Sequence, residues 1–342
     1  MADRFFSEED GSRCASERPL TGTCSRDEGT VPQCPASVAD RDGCSQCPET
    51  GATPSIRKAS EKGGREAVEY RASRPLHFFY GCLLGRLLMR PMVCRPVSYI
   101  GGKFLDSRLS RGLISPFIRN HQIDMSLFEP GPYANYNAFF TRKCLPGKRS
   151  FSDEAADFCA PCDSALSVYA LEEGQTFVVK QSVYTLATLL KDAALAKHYI
   201  GGTVMIFRLG VQDYHRYAFP DDGEILWTRE IPGLFHTVQP IAVERIPVFH
   251  RNTRCITQLR SDHFGDLLQL EVGAMMVGRI CNHPKTGRVR RGEEKGYFAF
   301  GGSTVMVILP AGRVAVDEDI RKNSAAGLET KVKQGEVIAH RL

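Results

Sequence analysis

The stretch that decides the fold is Lys295-Gly-Tyr-Phe-Ala-Phe-Gly-Gly-Ser303-Thr-Val-Met-Val-Ile-Leu309. From Thr304 to Leu309 it is β-branched or apolar at every position, which reads as a strand buried on both faces. The pair Gly301-Gly302 stands at its mouth, where the absence of Cβ atoms lets the chain turn tightly. Working back from there, short runs rich in Val, Ile, Phe and Tyr recur at 175–179, 203–209, 223–227 and 268–272, separated by Gly, Pro, Asp and Asn. One helical stretch interrupts them, Tyr184 to Leu195, with Leu and Ala at helical spacing. Strands without regular βα alternation predict an α+β fold, a β-rich antiparallel-sheet catalytic domain over residues 131–342.

Upstream the texture differs. Residues 1–70 are rich in Ser, Gly, Pro and charged side chains, with too little apolar surface to offset chain entropy, and are expected to form a disordered leader. Residues 71–130 are expected to be helical and membrane-associating. Leu76 to Met89 is the most apolar segment, too short to span a bilayer and flanked by Arg74, Arg90 and Arg95; it reads either as an interfacial helix or as a core helix. Leu109, Leu113, Ile114, Phe117 and Ile118 give a second amphipathic helix within 107–128.

Composition sets outer limits. The chain has 342 residues, 42% hydrophobic and 24% charged, with a net charge of +5 spread along its length, so nucleic acid is not implied but an anionic surface is allowed. Of its twelve cysteines, Cys44 and Cys47 have CxxC spacing without a second pair of ligands, and Cys159 and Cys162 lack the βαβ surroundings of a redox motif. Reduced thiols and no metal site are expected.

Ser303 leaves two readings open. Gly301-Gly302-Ser303 serves only as a turn into a strand, or the Gly302-Ser303 bond is the site of self-cleavage. In the second, Ser303 Oγ attacks the Gly302 carbonyl and converts amide to ester. β-Elimination and hydrolysis then leave a pyruvoyl ketone on residue 303. Asp163, after Pro161, suits a turn equally well, and His215 a polar turn.

Several segments, in order, resemble the phosphatidylserine decarboxylase family. Asn137-Ala-Phe-Phe-Thr-Arg142 with Leu145-Pro-Gly-Lys-Arg149 is similar to its FFTR segment, Ala160-Pro-Cys-Asp163-Ser to its Pro-Ala-Asp-Gly turn, and Asp213-Tyr-His-Arg216 to its DYHR motif. Leu234 to Pro240, Asn252-Thr-Arg254 and Val272 to Gly278 follow, and Gly301-Gly302-Ser303-Thr304 resembles its cleavage motif. The resemblance spans roughly residue 75 to the end.

The resemblance implies a proenzyme whose Asp163, His215 and Ser303 act as a charge-relay set, the carboxylate orienting the imidazole as in a serine hydrolase. Cleavage at Gly302-Ser303 implies a β subunit ending at Gly302, an α subunit of residues 303–342, and a pyruvoyl group made from Ser303. That group would form a Schiff base with phosphatidylserine in a membrane and release CO₂, giving phosphatidylethanolamine. The chain departs from the family at Ala218, where many members carry a second histidine, so His215 is expected to do both jobs, with His236 or His283 in reserve. Family habit suggests a homodimer and the mitochondrial inner membrane, with endomembranes as the alternative, although the acidic leader lacks transit-peptide character. Competing readings are an inactive lipid-binding homologue, a pyruvoyl decarboxylase of a soluble amino acid, and a serine hydrolase, against which the missing Gly-x-Ser-x-Gly elbow speaks.

Overall fold

The computed structural model describes residues 57–59, 64–69, 74–82, 84–85, 87–88, 93, 95–174, 176–179, 182–243, 246–274, 279–283, 286–299 and 303–342. Its first nine strands are β1 (Arg57–Ala59), β2 (Ala67–Glu69), β3 (Asp157–Cys159), β4 (Ser164–Ala170), β5 (Thr176–Val179), β6 (Ser182–Thr185), β7 (Thr203–Leu209), β8 (Arg216–Ala218) and β9 (Gly223–Ile231). They are followed by β10 (Arg254–Ser261), β11 (Gly265–Val272), β12 (Ile280–Asn282), β13 (Gly287–Val289), β14 (Glu294–Phe298), β15 (Ser303–Leu309), β16 (Val314–Val316), β17 (Glu329–Val332) and β18 (Val337–Arg341).

The expected all-apolar strand is β15, buried at all seven positions. It lies inside a ten-stranded sheet of order β1-β2-β17-β4-β7-β15-β11-β10-β9-β13. Ser303 pairs with Leu209 at one end of the β15–β7 ladder and Leu309 with Thr203 at the other, while Thr304 to Ile308 pair with Val272 to Leu268 of β11. Two three-stranded sheets, β12-β14-β8 and β16-β18-β3, and the β5–β6 hairpin complete the strand structure. The ladders are antiparallel, as the lack of βα alternation predicted.

Alternate residues of the sheet feed two cores. Ile206, Leu268, Leu270, Met306 and Ile308 face one, which the helices Leu186–Leu190, Pro240–Val243 and Val248–Arg251 help to cover. Phe207, Leu209, Leu267, Val305, Val307 and Leu309 face the other, with Tyr217 and Phe298 from the smaller sheet. Each such side chain, fully removed from water, contributes about 1.5–3 kcal/mol.

The structure differs from the sequence reading in two places. β1 and β2 fall within the stretch expected to be an unstructured leader, and β2 pairs with β17 at Glu329 and Thr330. Leader positions 1–56, Cys44 and Cys47 among them, lie outside the described residues. The helix expected over 184–195 is broken. Ser182–Thr185 is a strand, Leu186–Leu190 a helix ended by Lys191 at φ 52°, and Ala193–Lys197 a second helix capped by the Asp192 carboxylate, which accepts from Leu195 N at 2.9 Å. In the N-terminal region, helices occupy Arg74–Gly81, Arg95–Leu105 and Ile114–His121, with a 3-10 turn over Arg108–Leu113. No helix among the described residues is long and apolar enough to cross a membrane.

The second core holds a buried ion pair. Lys295 Nζ lies 2.6 Å from both carboxylate oxygens of Glu271, and Asn282 Nδ2 donates to the same carboxylate at 3.1 Å. Both charged side chains are buried. Such a pair contributes little net stability, but breaking it strands a charge in the core. Lys295→Met is therefore expected to destabilise the fold by about 3–5 kcal/mol, and Glu271→Leu/Lys295→Met to be more stable than the single variant, as read by equilibrium denaturation.

Candidate active site

His215 immediately precedes β8. Its backbone carbonyl accepts from Phe298 N at 2.9 Å, tying it to the last residue of β14, while Leu209, six residues earlier, pairs with Ser303. The chain around 215 is thus fastened to both sides of the 299–303 connection. The turn between Leu209 and His215 is closed by Asp213, whose carboxylate accepts from Gly210 N at 2.7 Å and bonds Lys331. Burial opposes ionisation of Asp213, yet the Lys331 ammonium prevails and holds its pKa below the usual carboxylate value.

The imidazole is fully buried, with the Phe140 ring centroid 4.0 Å from its own. Its Nδ1 lies 2.8 Å from the carbonyl oxygen of Asp213. A carbonyl only accepts, so Nδ1 carries the hydrogen and the neutral ring presents a lone pair at Nε2, which is buried with no partner among the described residues. Burial lowers the pKa of His215 to about 4, although Asp213 and Asp163 pull the other way. The ring is held as a neutral base.

Ser303 opens β15 at 1% exposure, and its Oγ also lacks a partner among the described residues. A buried hydroxyl left unbonded is unusual and demands a reason. Gly302, the expected acyl side of the cleavage, lies outside the described residues.

Asp163 is placed in the same neighbourhood by the Pro161 carbonyl, which accepts from Ala218 N at 2.9 Å and from Gln334 Nε2 at 3.1 Å. The expected bond from its carboxylate to His215 is not there. Arg149 takes the carboxylate in a fork, Nε to Oδ1 at 3.0 Å and Nη2 to Oδ2 at 2.7 Å, and Gln334 N donates to Oδ1 at 2.8 Å. The imidazole tautomer is set by the Asp213 backbone instead, and Asp163 acts on His215 through space. A backbone acceptor two residues away leaves no signature in a side-chain motif, and Arg149 lay at the end of a motif read for other reasons.

Of the reserve histidines, His236 is buried with Nδ1 unpartnered among the described residues, its pKa lowered to about 4 by burial, and its backbone is pinned by Asn252. His283 lies toward solvent with Nε2 2.7 Å from Glu294 Oε1. Cys159 and Cys162 are buried free thiols, and burial pushes both pKa values up.

Burial holds three histidines, His215, His236 and His250, at about 4 against 6.5 for a free imidazole. Their folded-state pKa values are depressed, so their stabilising contribution is complete above pH 6.5 and is lost as the pH falls toward 4, where unfolding takes up protons. His215→Gln is expected to reduce proton uptake on unfolding at pH 5.5 by nearly one proton, measured from the pH slope of the unfolding free energy.

Known sequences resemble this chain over most of its length. The family described as phosphatidylserine decarboxylase matches residues 136–340. The chain is 44% identical over 264 residues to a protein of Clostridium acetobutylicum named phosphatidylserine decarboxylase proenzyme 2, covering 77% of this chain and 90% of that one. It is 38% identical over 273 residues to the phosphatidylserine decarboxylase proenzyme of Ruminiclostridium cellulolyticum, 78% and 91% covered, and 36% identical over 267 residues to that of Fusobacterium nucleatum, 76% and 89% covered. These relatives are bacterial and give no support to the mitochondrial expectation. By profile and by identity over most of its length, the chain belongs to the phosphatidylserine decarboxylase family.

Proposed function

We propose that this chain is a self-cleaving phosphatidylserine decarboxylase in which Ser303 becomes the pyruvoyl group. What supports the reading is that Ser303 Oγ and His215 Nε2 are each buried without a partner among the described residues, the imidazole's other nitrogen being already held as a donor, and that their chain segments are tied to the same part of the sheet by the Ser303–Leu209 pairing and the bond from Phe298 N to the His215 carbonyl. These residues fit the group, since its precursor hydroxyl is left unbonded at the mouth of a rigid strand.

In self-cleavage His215 Nε2 takes the hydroxyl proton as Oγ bonds to the Gly302 carbonyl carbon. It returns that proton to the departing backbone nitrogen, leaving an ester and a free amine. Loss of the Cα proton then breaks the Cβ–Oγ bond and frees the Gly302 carboxylate. Water releases ammonia from the resulting enamine to leave the ketone. Asp163, fixed by Arg149, stabilises the transient imidazolium from a distance. Once formed, the pyruvoyl group supplies an electron sink for the pair left as the serine carboxylate departs as CO₂. His215 Nε2 delivers the proton to the carbon left behind.

A lipid substrate needs a docking face. Among the described residues, nine of the twelve exposed large hydrophobic side chains lie between Phe78 and Leu113, with Ile100 67% and Leu109 83% exposed. Arg108, Arg111 and Lys103 stand beside them, the composition of an interfacial surface. This face favours a lipid over a free amino acid.

Two measurements test the reading. Wild-type protein on a denaturing gel should release a C-terminal fragment of residues 303–342 whose intact mass shows a pyruvoyl N-terminus, and Ser303→Ala should stay a single chain. A wild-type chain that never cleaves under decarboxylating conditions overturns the proposal. Ile100→Glu/Leu109→Glu should cleave normally yet lose roughly tenfold or more in association with phosphatidylserine vesicles, read by co-sedimentation, since each buried large apolar side chain contributes about 1.5–3 kcal/mol.

A further inference from the structure

Among the described residues most guanidinium groups with little exposure are provided with acceptors, Arg229 lacks one at Nε alone, and Arg142 lacks two. Arg149, Arg208 and Arg291 each face a carboxylate, and Arg254, 1% exposed, donates to the carbonyl oxygens of Leu189, His250, Asn252 and Thr188. Arg142 is 3% exposed and has one bond, Nη1 to the Phe139 carbonyl at 3.3 Å. Its Nε and Nη2 have no acceptor among the described residues. The group is sandwiched by aromatic rings, its carbon 4.2 Å from the Phe128 centroid and 4.9 Å from that of Phe139. Ring faces return about 0.5–2 kcal/mol to a cation but satisfy neither donor and supply no countercharge. Burial lowers the Arg142 pKa, the mark of a cation held without its anion.

The position of Arg142 ties it to the chemistry. It follows the helix Tyr136–Phe140, whose last residue lies against the His215 ring. Arg216 Nε bonds the Thr141 and Arg142 carbonyls at 2.9 and 3.3 Å, and Cys144 N donates to the Tyr214 hydroxyl at 3.2 Å. The 139–144 segment therefore moves as one wall with 214–216. The two open donors, Nε and Nη2, lie on one edge of the guanidinium, the fork that takes two oxygens of a carboxylate or phosphate at once.

We propose that Arg142 is the anion-binding group of the substrate site and takes the phosphodiester of the phospholipid headgroup. The inference rests on the decarboxylase reading for its substrate and on the orphaned fork for its residue. The substrate offers two anions, and the chemistry chooses between them. A strong bond to the carboxylate would stabilise the ground state and oppose its loss as CO₂, whereas the phosphodiester keeps its charge from substrate to product, so binding it does not resist the reaction. Arg142 thus anchors the lipid while the carboxylate is left free to depart.

The test compares the full-length wild type with Arg142→Met and Arg142→Lys. Thermal unfolding is followed with glycerophosphoethanolamine, a phosphodiester without a carboxylate, and with serine, a carboxylate without a phosphate. Glycerophosphoethanolamine should raise the wild-type Tm and leave the Arg142→Met Tm unchanged, and serine should affect both alike. Without ligand Arg142→Met should be at least as stable as wild type, since it removes an uncompensated buried charge. On phosphatidylserine vesicles its KM should rise about 10- to 100-fold with a smaller change in kcat, the loss expected for hydrogen bonds to a charged group, and Arg142→Lys should fall between. A retained glycerophosphoethanolamine shift, a shift lost for serine alone, or an Arg142→Met protein that is less stable than wild type overturns the assignment. A wild type that binds glycerophosphoethanolamine through Arg142 but never cleaves overturns the decarboxylase reading and leaves the anion site standing.

Discussion

Everything at the site depends on β15 being locked between β7 and β11. The register runs from Ser303 opposite Leu209 to Leu309 opposite Thr203, and no residue of the strand reaches solvent. A hydroxyl at the first position of such a strand cannot drift, so the direction of any attack is set by the sheet and not by a loop. The same ladder has a second consequence. Residues 303–342 supply β15 to the middle of the large sheet, β17 between β2 and β4, and β16 and β18 to a smaller sheet. A cut before Ser303 would leave two pieces interleaved through several strands, each burying apolar side chains against the other.

That interleaving also places the C-terminal segment in the site. Gln334 N–H holds the Asp163 carboxylate, Lys333 Nζ lies 3.4 Å from it, and Lys331 holds Asp213. Asp163 and Asp213, from the N-terminal side of Ser303, are therefore oriented by groups from the C-terminal side. On the proposed cleavage the C-terminal piece would orient acids of the N-terminal piece, so separating the two would disturb more than sheet pairing.

The strand positions were legible in the sequence because period and composition agree where a strand is fully buried. Thr203–Leu209 matches the run of Val, Met, Ile and Phe residue for residue. The break at Lys191 was not legible, because leucine and alanine spacing looks the same across a helix and across two short helices joined by one left-handed residue. The helix Arg95–Leu105 lies within the 71–130 stretch, and its Gly101-Gly102 pair does not break it. At the site, Ser303, His215 and Asp163 were visible as motif positions, but their bonds were not. Arg149, Gln334 and Lys331 reach their carboxylates across 14, 171 and 118 residues, distances at which only the fold makes neighbours.

Electrostatics then explains why Asp163 need not touch His215. Each of the three buried acids nearby already has its own cation, Asp163 with Arg149, Asp213 with Lys331 and Glu271 with Lys295. A carboxylate bonded directly to the imidazole would favour the imidazolium and raise the pKa of the ring. Arg149 engages the acid, and burial outweighs the pull of Asp213 and Asp163, keeping the ring neutral down to about 4. In the proposed reaction such a group takes a proton and passes it on, as an amide-to-ester shift at residue 303 and protonation of a carbon after CO₂ loss each require.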